Sequence, residues 1–182
     1  MTLPADLSRV EAALVGTGLG PRGGARVGAG SDSHPFGPGR PLALGGIEIE
    51  SAFRLHGHSD GDVALHAIAD ALLGAAALGD LGRIFPAGPS TPRGIGSGEL
   101  LRDVVGRVHA AGYRPSSVDL TIVGARPRLA GHLDAMRDAI AALLDLSGER
   151  VSVKASTGNL DGMEGAGRGI SAQAIATLER SE

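Results

Sequence analysis

Residues 56–85 constrain the fold of this chain more than any other stretch. The first half of this stretch concentrates imidazoles and carboxylates, namely His56, His58, Asp60, Asp62, His66 and Asp70. Residues 71–78 follow directly, are apolar, and predict a helix packed in a core. Carboxylates and imidazoles at this density are costly to bury unless they bind something, and a divalent metal ion is the usual ligand. The sequence therefore predicts a polar site built onto a core helix.

The absence of cysteine decides which side chains could hold such an ion. Disulfides and cysteine zinc sites are excluded, so the ion must be bound by imidazoles and carboxylates. The net charge is −3 without any basic run, which gives no indication of a nucleic-acid partner. The apolar runs are too short to span a membrane, and the N-terminus lacks the features of a signal peptide. We therefore expect a cytoplasmic protein.

The core must be built mainly from aliphatic side chains, since aromatic residues make up only 2% of the chain. The length of 182 residues is sufficient for one compact domain. Because aliphatic side chains bury less area each than aromatic ones, we expect part of the stability to come from oligomerisation.

Hydrophobic spacing beyond residue 25 predicts alternating strands and helices. The predicted elements are a strand at 26–33, a hairpin at 42–49 with Gly45-Gly46 at its turn, helices at 59–78 and 99–111, a strand at 117–123, a helix at 129–146, a strand at 150–155, a glycine-rich loop at 156–169 and a strand at 170–178. Residues 1–25 predict a short helix and a glycine-rich linker. The order predicts an α/β fold, a two-layer α+β domain with a mixed sheet and helices on one face. The other face is predicted to carry Ala172, Ala174 and Ala176 and to pack against a symmetry mate.

Three candidate metal ligands lie on two different elements. Asp32 and His34 are two residues apart at a predicted strand end, so their side chains point to the same side. His66 lies in a helical stripe that Asp62 and Asp70 continue at a spacing of four. Two imidazoles and one carboxylate with an open position form the usual catalytic zinc arrangement. Taken singly, a turn-forming Asp32 and a surface His34 are simpler interpretations, but the three residues together favour a metal site.

Two further segments have the chemistry to bind phosphate. His58 and Ser59 precede the first long helix, whose free N–H groups and dipole attract anions. A simpler interpretation is that Ser59 caps the helix and Asp62 completes a capping box, but this leaves His58 unexplained. The loop at 154–159 follows a strand and offers hydroxyls and amides, although by itself it is more typical of a solvated loop.

The motif at residues 58–86 closely resembles that of a known family. It reads His-Ser-Asp-Gly-Asp-Val-Ala-Leu-His, then Asp-Ala-Leu-Leu-Gly at 70–74 and Leu-Gly-Asp-Leu-Gly-Arg-Ile-Phe-Pro at 78–86. On these residues the chain resembles the 2-C-methyl-D-erythritol 2,4-cyclodiphosphate synthases of the non-mevalonate isoprenoid pathway. The family's metal-binding Asp-x-His matches Asp32-Ser33-His34, and the later matches, in the expected order, are Gly45-Gly46, Gly112-Tyr113, Arg126-Pro127-Arg128 and Lys154-Ala155-Ser156-Thr157. The resemblance covers residues 26–182 almost without gaps.

The resemblance implies a phosphorus–oxygen lyase. Such enzymes convert 4-diphosphocytidyl-2-C-methyl-D-erythritol 2-phosphate into the cyclic diphosphate and CMP. In this reaction the substrate's own 2-phosphate attacks the β-phosphorus of its diphosphate. Family members are homotrimers with active sites between neighbouring subunits, so the sheets are expected to line a central cavity. The implied partners are a cytidine diphosphate-type substrate and the upstream cytidylyltransferase of the pathway.

The resemblance also assigns roles to individual residues. Asp32, His34 and His66 are expected to hold zinc or a similar divalent ion, with Asp62 and Asp70 behind these ligands. His58 and Thr157 are expected to stabilise the transition state. The implied substrate contacts are Ser59, Asp80, Gly82, Phe85, Gly124, Arg128, Ala130, Ser156, Asn159 and Met163. Among them, Asp80 and Gly82 match positions that hold the erythritol part or the ribose, and Gly124, Arg128, Ala130 and Ser156, with Thr157, match the cytidine pocket of the nucleotide.

The chain departs from the family pattern mainly in its last loop. Asn159 stands where the family usually carries a glutamate that helps to hold a second divalent ion, Mg²⁺ or Mn²⁺, on the diphosphate, and Asp161 is an alternative ligand. The family's Arg-Gly-Glu-Gly, at the cavity end where isoprenoid diphosphates can bind, is replaced by Ala166-Gly167-Arg168-Gly169. Aspartates that usually follow Phe-Pro are replaced by Ala87-Gly88-Pro89. The second ion and these contacts are therefore less strongly predicted than the first metal site.

Two alternatives to a cyclase remain open at this level. A non-catalytic module that binds metal and isoprenoid diphosphate would follow if the loss of charge at Asn159 removed turnover. A zinc hydrolase is the third hypothesis, although no general base is evident beyond Asp62 and Asp70. Residues 1–25 resemble the end of the pathway's cytidylyltransferase, but the match is short and predicts no such activity.

Overall fold

The structure is a computed structural model and describes residues 25–89 and 91–181. The predicted N-terminal helix and nearly all of the predicted linker lie outside these residues. The strands are β1 (Arg26–Pro35), β2 (Leu42–Leu44), β3 (Ile47–Ile49), β4 (Tyr113–Val123), β5 (Val151–Ser156) and β6 (Gly169–Arg180). The helices are α1 (Val63–Ala76), α2 (Leu81–Ile84), α3 (Ser97–Ala110), α4 (Leu133–Leu144) and α5 (Gly162–Gly165), with 3-10 turns at Gly148–Arg150 and Gly158–Leu160.

Four strands form one mixed sheet in the order β1, β6, β4, β5. β4 and β5 are parallel, whereas β6 is antiparallel to both of its neighbours. The C-terminal ends of β1, β4 and β5 therefore lie at the same end of the sheet. β1 and β5 are its two opposite edge strands. The three long helices α1, α3 and α4 cover one face, which confirms the predicted mixed sheet with helices on one side. Within the described residues, no helix is both long enough and apolar enough to cross a membrane.

α1 is the centre of the core because its sequence is apolar on almost every side. Of its 14 residues, 11 are buried. The helix begins at Val63 rather than near Ser59, because the Asp62 carboxylate accepts hydrogen bonds from two backbone N–H groups of the first turn and acts as the N-cap. It ends at Ala76, where Ala77 adopts a left-handed conformation with φ 60°, so the predicted end lies two residues too late.

The small residues of the sheet lie under the helices, which corrects the prediction of an exposed alanine face. Ala172, Ala174 and Ala176 are buried. The register pairs Ala174 with Gly30 and Ala176 with Gly28, so all of these residues face α1. Alternation fixes only which residues share a face, and the contact with α1 decides which face is covered. The uncovered face is mostly polar and carries Ser31, Ser33, Ser171, Gln173 and Thr177 beside the exposed Val27 and Ile175.

Gly30→Ala is expected to lower the free energy of unfolding by about 2–3 kcal/mol, because α1 would have to move away from β1. A Cβ at Gly30 would lie 2.2 Å from the Ala67 carbonyl oxygen and 2.6 Å from the Ala71 nitrogen. Gly106→Ala is the matched control, since this α3 glycine is exposed and its Cβ would have nothing within 4 Å. The control is expected to stabilise by about 0.5–1 kcal/mol. Urea denaturation measures both, and equal stabilities would contradict the close packing of α1 on β1.

Other element boundaries differ from the predictions because of tertiary pairing. β4 begins at Tyr113 instead of residue 117, because β6 continues to Arg180 and pairs with Tyr113 beyond an irregularity near Pro115. α4 begins at Leu133, since the four preceding residues form a turn. The glycine-rich last loop contains a 3-10 turn and α5. The hairpin agrees with its prediction, and Gly45 and Gly46 have φ 64° and 81°, as a tight two-residue turn requires.

Candidate active site

The three predicted metal ligands meet near the end of β1. Asp32 and His34 point to the same side of the strand, and His66 reaches them from α1. Asp32 Oδ2 lies 3.1 Å from His34 Nε2 and 2.8 Å from His66 Nδ1. The ligand atoms of all three residues lie within 4.8 Å of one another. Ligand atoms around a tetrahedral zinc ion lie about 3.4 Å apart, so this donor set fits such an ion.

The carboxylate and the imidazoles stabilise each other's charged forms. Burial alone would raise the pKa of Asp32, but the hydrogen bonds to His34 and His66 outweigh it and lower that pKa well below its usual range. Burial alone would lower the pKa of His66, but the hydrogen bond and the negative charge of Asp32 raise it. Without a metal ion, the interaction with Asp32 thus favours the protonated form of His66.

Metal affinity is expected to decrease as the pH falls, starting above the ordinary histidine pKa of about 6.5. Because the pKa of His66 is raised, its imidazole keeps a proton up to a higher pH, and a metal ion must displace that proton to bind Nδ1. Below that pKa the apparent affinity is expected to fall about tenfold per pH unit. Competition between the protein and a chelator for zinc, over a pH series, measures this slope. A flat profile would contradict His66 as a ligand.

A cavity of about 160 Å³ opens beside the three ligands. It is lined by both candidate ligand imidazoles and by four residues that the resemblance assigns to the transition state or to the substrate, namely His58, Ser59, Gly82 and Phe85. The cavity is bounded elsewhere by apolar side chains such as Leu81, Ile95 and Leu100. A ligand seated here would therefore contact the metal site at one end and an apolar wall at the other.

Specific hydrogen bonds orient both His58 and Ser59. His58 Nε2 lies 2.9 Å from the Thr91 carbonyl oxygen. Because a carbonyl oxygen only accepts, Nε2 carries the hydrogen and Nδ1 is left for another partner. Ser59 is buried, and its hydroxyl accepts a hydrogen bond from the Gly61 N–H. The predicted capping of α1 by Ser59 is therefore wrong, since Asp62 performs it.

The structure shows the hydrogen-bond partners of Asp62 and Asp70, the two aspartates expected behind the ligands. The buried Asp62 carboxylate accepts hydrogen bonds from the N–H groups of Gly45 and Gly46, at 2.9 and 2.8 Å, and so fastens the hairpin to α1. Asp70 accepts a hydrogen bond of 2.7 Å from the Leu81 N–H and anchors α2. Asp80 caps α2 and shares a neighbouring cavity with Asp70. These aspartates hold together the elements that surround the site.

Ser97 is a polar residue at the site that the sequence did not reveal, and it connects Asp60 to His66. Ser97 Oγ lies 2.9 Å from His66 Nε2 and also hydrogen-bonds the Asp60 carboxylate. Ser97 is separated from His66 by 31 residues, and no periodic pattern links them. Asp60 belongs to the predicted cluster of imidazoles and carboxylates, but no sequence signal pointed to its contact with Ser97.

The residues predicted for the nucleotide line a second cavity, of about 510 Å³, at the ends of β4 and β5. Its lining includes Gly124, Arg128, Ala130, Ser156 and Thr157. β5 and β1, which carries Asp32 and His34, are opposite edges of the sheet, three strand spacings apart, which corresponds to about 14 Å. Within one chain, the two groups of predicted residues therefore do not meet.

The last predicted contacts lie in the loop before β6. Asn159 is exposed and adopts a left-handed backbone with φ 49°. Met163 packs against the start of β6, where a Cβ at Gly169 would lie 2.8 Å from Met163 Cε. Neither residue lines the two cavities described above.

Known proteins resemble this chain over nearly all of the described residues. The model of the YgbB family matches residues 25–179. A 2-C-methyl-D-erythritol 2,4-cyclodiphosphate synthase from Moorella thermoacetica is 52% identical over 153 residues, which are 84% of this chain and 94% of the relative. The synthase of that name from Symbiobacterium thermophilum is 49% identical over 152 residues, which are 84% of this chain and 97% of the relative.

Solved structures resemble the chain in fold as well. A 2C-methyl-D-erythritol-2,4-cyclodiphosphate synthase in a CDP-bound form aligns with a TM-score of 0.74 and 37% identity, covering 85% of this chain and 100% of that one. The bifunctional IspDF from Campylobacter jejuni aligns with a TM-score of 0.83 and 35% identity, covering 87% of this chain but only 43% of that longer one. The chain therefore belongs to the YgbB family, with the 2-C-methyl-D-erythritol 2,4-cyclodiphosphate synthases as its relatives.

Proposed function

We propose that this protein is a 2-C-methyl-D-erythritol 2,4-cyclodiphosphate synthase that releases CMP, and thus a phosphorus–oxygen lyase of isoprenoid biosynthesis. The observation that carries the proposal is the convergence of Asp32, His34 and His66 beside His58 and Ser59. This convergence occurs in a chain about half identical to synthases of that name. In the reaction, an oxygen of the substrate's 2-phosphate bonds to the β-phosphorus, and the bond from that phosphorus to the bridging oxygen breaks. CMP leaves with the bridging oxygen.

The side chains around the ligands would position the reacting phosphates. A divalent ion held by Asp32, His34 and His66 would supply Lewis-acid chemistry and a template for the phosphate oxygens. Positioning and charge stabilisation provide most of the catalysis in phosphoryl transfer. His58 can contact a phosphate oxygen through Nδ1, because its other ring nitrogen, Nε2, bonds the Thr91 carbonyl oxygen. The Ser59 hydroxyl accepts a hydrogen bond from the Gly61 N–H and so holds the backbone next to His58 in place.

Positive charge beside the site supports a substrate rich in phosphate. On the other side of His58 and Ser59 lies a cavity of about 320 Å³ that Arg54, His56 and Arg93 also line. No carboxylate lines this cavity, and within the described residues neither arginine forms an ion pair. Unpaired guanidinium groups raise the local concentration of anions. An electropositive cavity thus adjoins the cavity of the metal site, and the two share His58 and Ser59.

A homotrimer with active sites between subunits is part of the proposal. The metal site and the cavity of Ser156 and Thr157 lie at opposite sheet edges, so one chain alone cannot bring Thr157 to a phosphate at His66. Placing the β5 edge of one subunit against the β1 edge of the next would join the two halves. A CDP-bound relative and a bifunctional IspDF support a cytidine nucleotide in that cavity and a link to the upstream cytidylyltransferase. The cytoplasmic location stays a prediction.

Asn159→Glu is expected to leave turnover unchanged or to raise it if a second divalent ion, Mg²⁺ or Mn²⁺, binds the diphosphate near this loop. Asn159 offers a carbonyl oxygen without charge, and a carboxylate is a stronger ligand for such ions. The rate of CMP release as a function of Mn²⁺ concentration measures the effect. Leu160→Glu is the control, since it adds the same charge at an adjacent exposed position. A large loss in Asn159→Glu alone would contradict an ion at this position.

Incubation of the purified protein with 4-diphosphocytidyl-2-C-methyl-D-erythritol 2-phosphate, zinc and Mg²⁺ tests the proposal. The expected products are CMP and a cyclic diphosphate, distinguished by phosphorus NMR. CMP together with a linear product would indicate a hydrolase. Metal binding without CMP above background would indicate a non-catalytic binding module. Either outcome would overturn the synthase assignment.

A further inference from the structure

The imidazole of His66 has a second nitrogen, Nε2, which two serine hydroxyls hold. Ser97 Oγ lies 2.9 Å from Nε2, and Ser59 Oγ lies 3.1 Å from it. Ser97 Oγ also hydrogen-bonds Asp60 Oδ1. A continuous hydrogen-bond chain thus runs from the Asp60 carboxylate through the Ser97 hydroxyl to the metal-site imidazole.

The donor and acceptor roles in this chain are determined by elementary chemistry. A carboxylate only accepts, so the single hydroxyl hydrogen of Ser97 goes to Asp60. The Ser97 oxygen must then accept from His66, which places the imidazole hydrogen on Nε2. In the neutral imidazole, the lone pair is therefore on Nδ1, the nitrogen that faces Asp32.

The Asp60 carboxylate is held in place by further backbone contacts. Its Oδ2 accepts a 2.9 Å hydrogen bond from the Ser97 N–H, and its Oδ1 accepts one of 3.1 Å from the Asp62 N–H. The Asp60 N–H in turn donates to the Ile95 carbonyl oxygen at 3.1 Å. Both carboxylate oxygens are thereby fixed as acceptors, so Asp60 cannot turn a donor toward Ser97.

Ser97 has no other structural duty for its hydroxyl. It is 1% exposed and opens α3, but the N-cap of that helix is Gly96, so the Ser97 hydroxyl does not cap the helix. A buried hydroxyl that made no hydrogen bond would be costly. Its partners are therefore Asp60 and the imidazole, and its position depends on them.

We propose that Asp60 and Ser97 are positioning residues that fix the tautomer and the ring orientation of His66, so that Nδ1 is presented to the metal ion. Partners of this kind commonly change metal affinity or activity about 10–100-fold when they are removed. Without the Ser97 oxygen, the Ser59 hydroxyl can donate a hydrogen bond to Nε2, which then acts as the acceptor. The imidazole hydrogen of His66 would then be on Nδ1, where it blocks the metal ion. The inference rests on the proposed metal centre.

Ser97→Ala is expected to bind zinc about 10–100-fold more weakly than the parent protein, measured by competition with a chelator. The melting temperature of the metal-free variant is expected to stay close to that of the parent. Ser117→Ala is the matched control, because the Ser117 hydroxyl bonds Thr177 on the uncovered sheet face at 2.7 Å. It is expected to leave zinc affinity unchanged.

A spectroscopic signature separates positioning from a general structural role. In the zinc-loaded parent labelled with ¹⁵N-histidine, the His66 Nε2 is expected to carry a hydrogen that exchanges slowly with water. In Ser97→Ala this protection is expected to be lost, even where excess zinc restores full loading. This signal needs no turnover, and its observation in the parent does not depend on any variant being folded.

The outcomes distinguish this inference from the metal centre on which it rests. A Ser97→Ala protein that binds zinc within twofold of the parent, or a zinc-loaded parent in which the Nε2 hydrogen exchanges as fast as in zinc-loaded Ser97→Ala, would overturn the roles of Asp60 and Ser97 alone. A parent that binds no zinc at all would overturn the metal centre, and this inference with it. Weakened zinc binding together with lost protection supports the inference.

Discussion

His66→Ala is expected to abolish both stoichiometric zinc binding and CMP release. The substitution removes one of three ligand atoms, and Asp32 and His34 alone cannot hold a zinc ion in a tetrahedral site. It also leaves Asp32 without the partner that lies 2.8 Å away. We expect the rate of CMP release to fall by at least about a thousandfold, because the charge stabilisation that an ion provides is worth several kcal/mol.

Elemental analysis after gel filtration and a CMP assay measure the two effects. His109→Ala is the control, since this histidine lies in the last turn of α3 away from the cavity, and we expect it to keep both properties. Full zinc occupancy in His66→Ala would contradict the assignment of the ligand. Zinc lost with CMP release retained would show that the chemistry does not use this ion.

Asp62→Ala is expected to lower the free energy of unfolding by about 3–5 kcal/mol, because it leaves buried backbone donors without an acceptor. The carboxylate, 1% exposed, accepts from the Gly45 and Gly46 N–H groups of the hairpin and from those of Ala64 and Leu65 in α1. Burial raises the pKa of Asp62, while the backbone hydrogen bonds oppose that rise. The ionised carboxylate is therefore stable at this buried position only while its donors are in place.

Urea denaturation of the metal-free protein, at one protein concentration, measures this loss. Asp103→Ala is the matched control, since Asp103 is exposed and pairs only with Arg107 on the surface of α3. The control is expected to change stability by less than about 0.5 kcal/mol. If Asp62→Ala unfolded like the control but bound no zinc, Asp62 would serve the metal site and not the hairpin.

The sequence determined the types of the main elements, because hydrophobic periodicity is local. The spacing of two between Asp32 and His34 predicted one strand with both side chains on one side, and the structure has it. The apolar residues before Gly79 predicted the buried helix that carries His66. The resemblance at residues 58–86 predicted the family, which the comparisons confirm.

Boundaries and side-chain partners could not be predicted with the same success, because contacts distant in sequence determine them. The pattern Ser-x-x-Asp at residues 59–62 is typical of a helix cap and predicts that α1 starts at Ser59. Asp62 became the cap because the hairpin, distant in sequence, also needs its carboxylate. Asp70 is predicted to lie behind the ligands, but no local pattern could predict that its carboxylate accepts a hydrogen bond from the Leu81 N–H.

What the sequence by itself determined is therefore the chemistry available: which side chains can bind a metal ion, and which segments are strands or helices. Only the tertiary structure decided three further features, namely the burial of the alanine face under α1, the placement of Ser97 behind His66, and the separation of the two predicted half-sites by the width of the sheet. The physical reason is that a period of two or 3.6 residues specifies which side chains share a face. Backbone contact at Gly28 and Gly30, strand order and helix docking specify what that face meets.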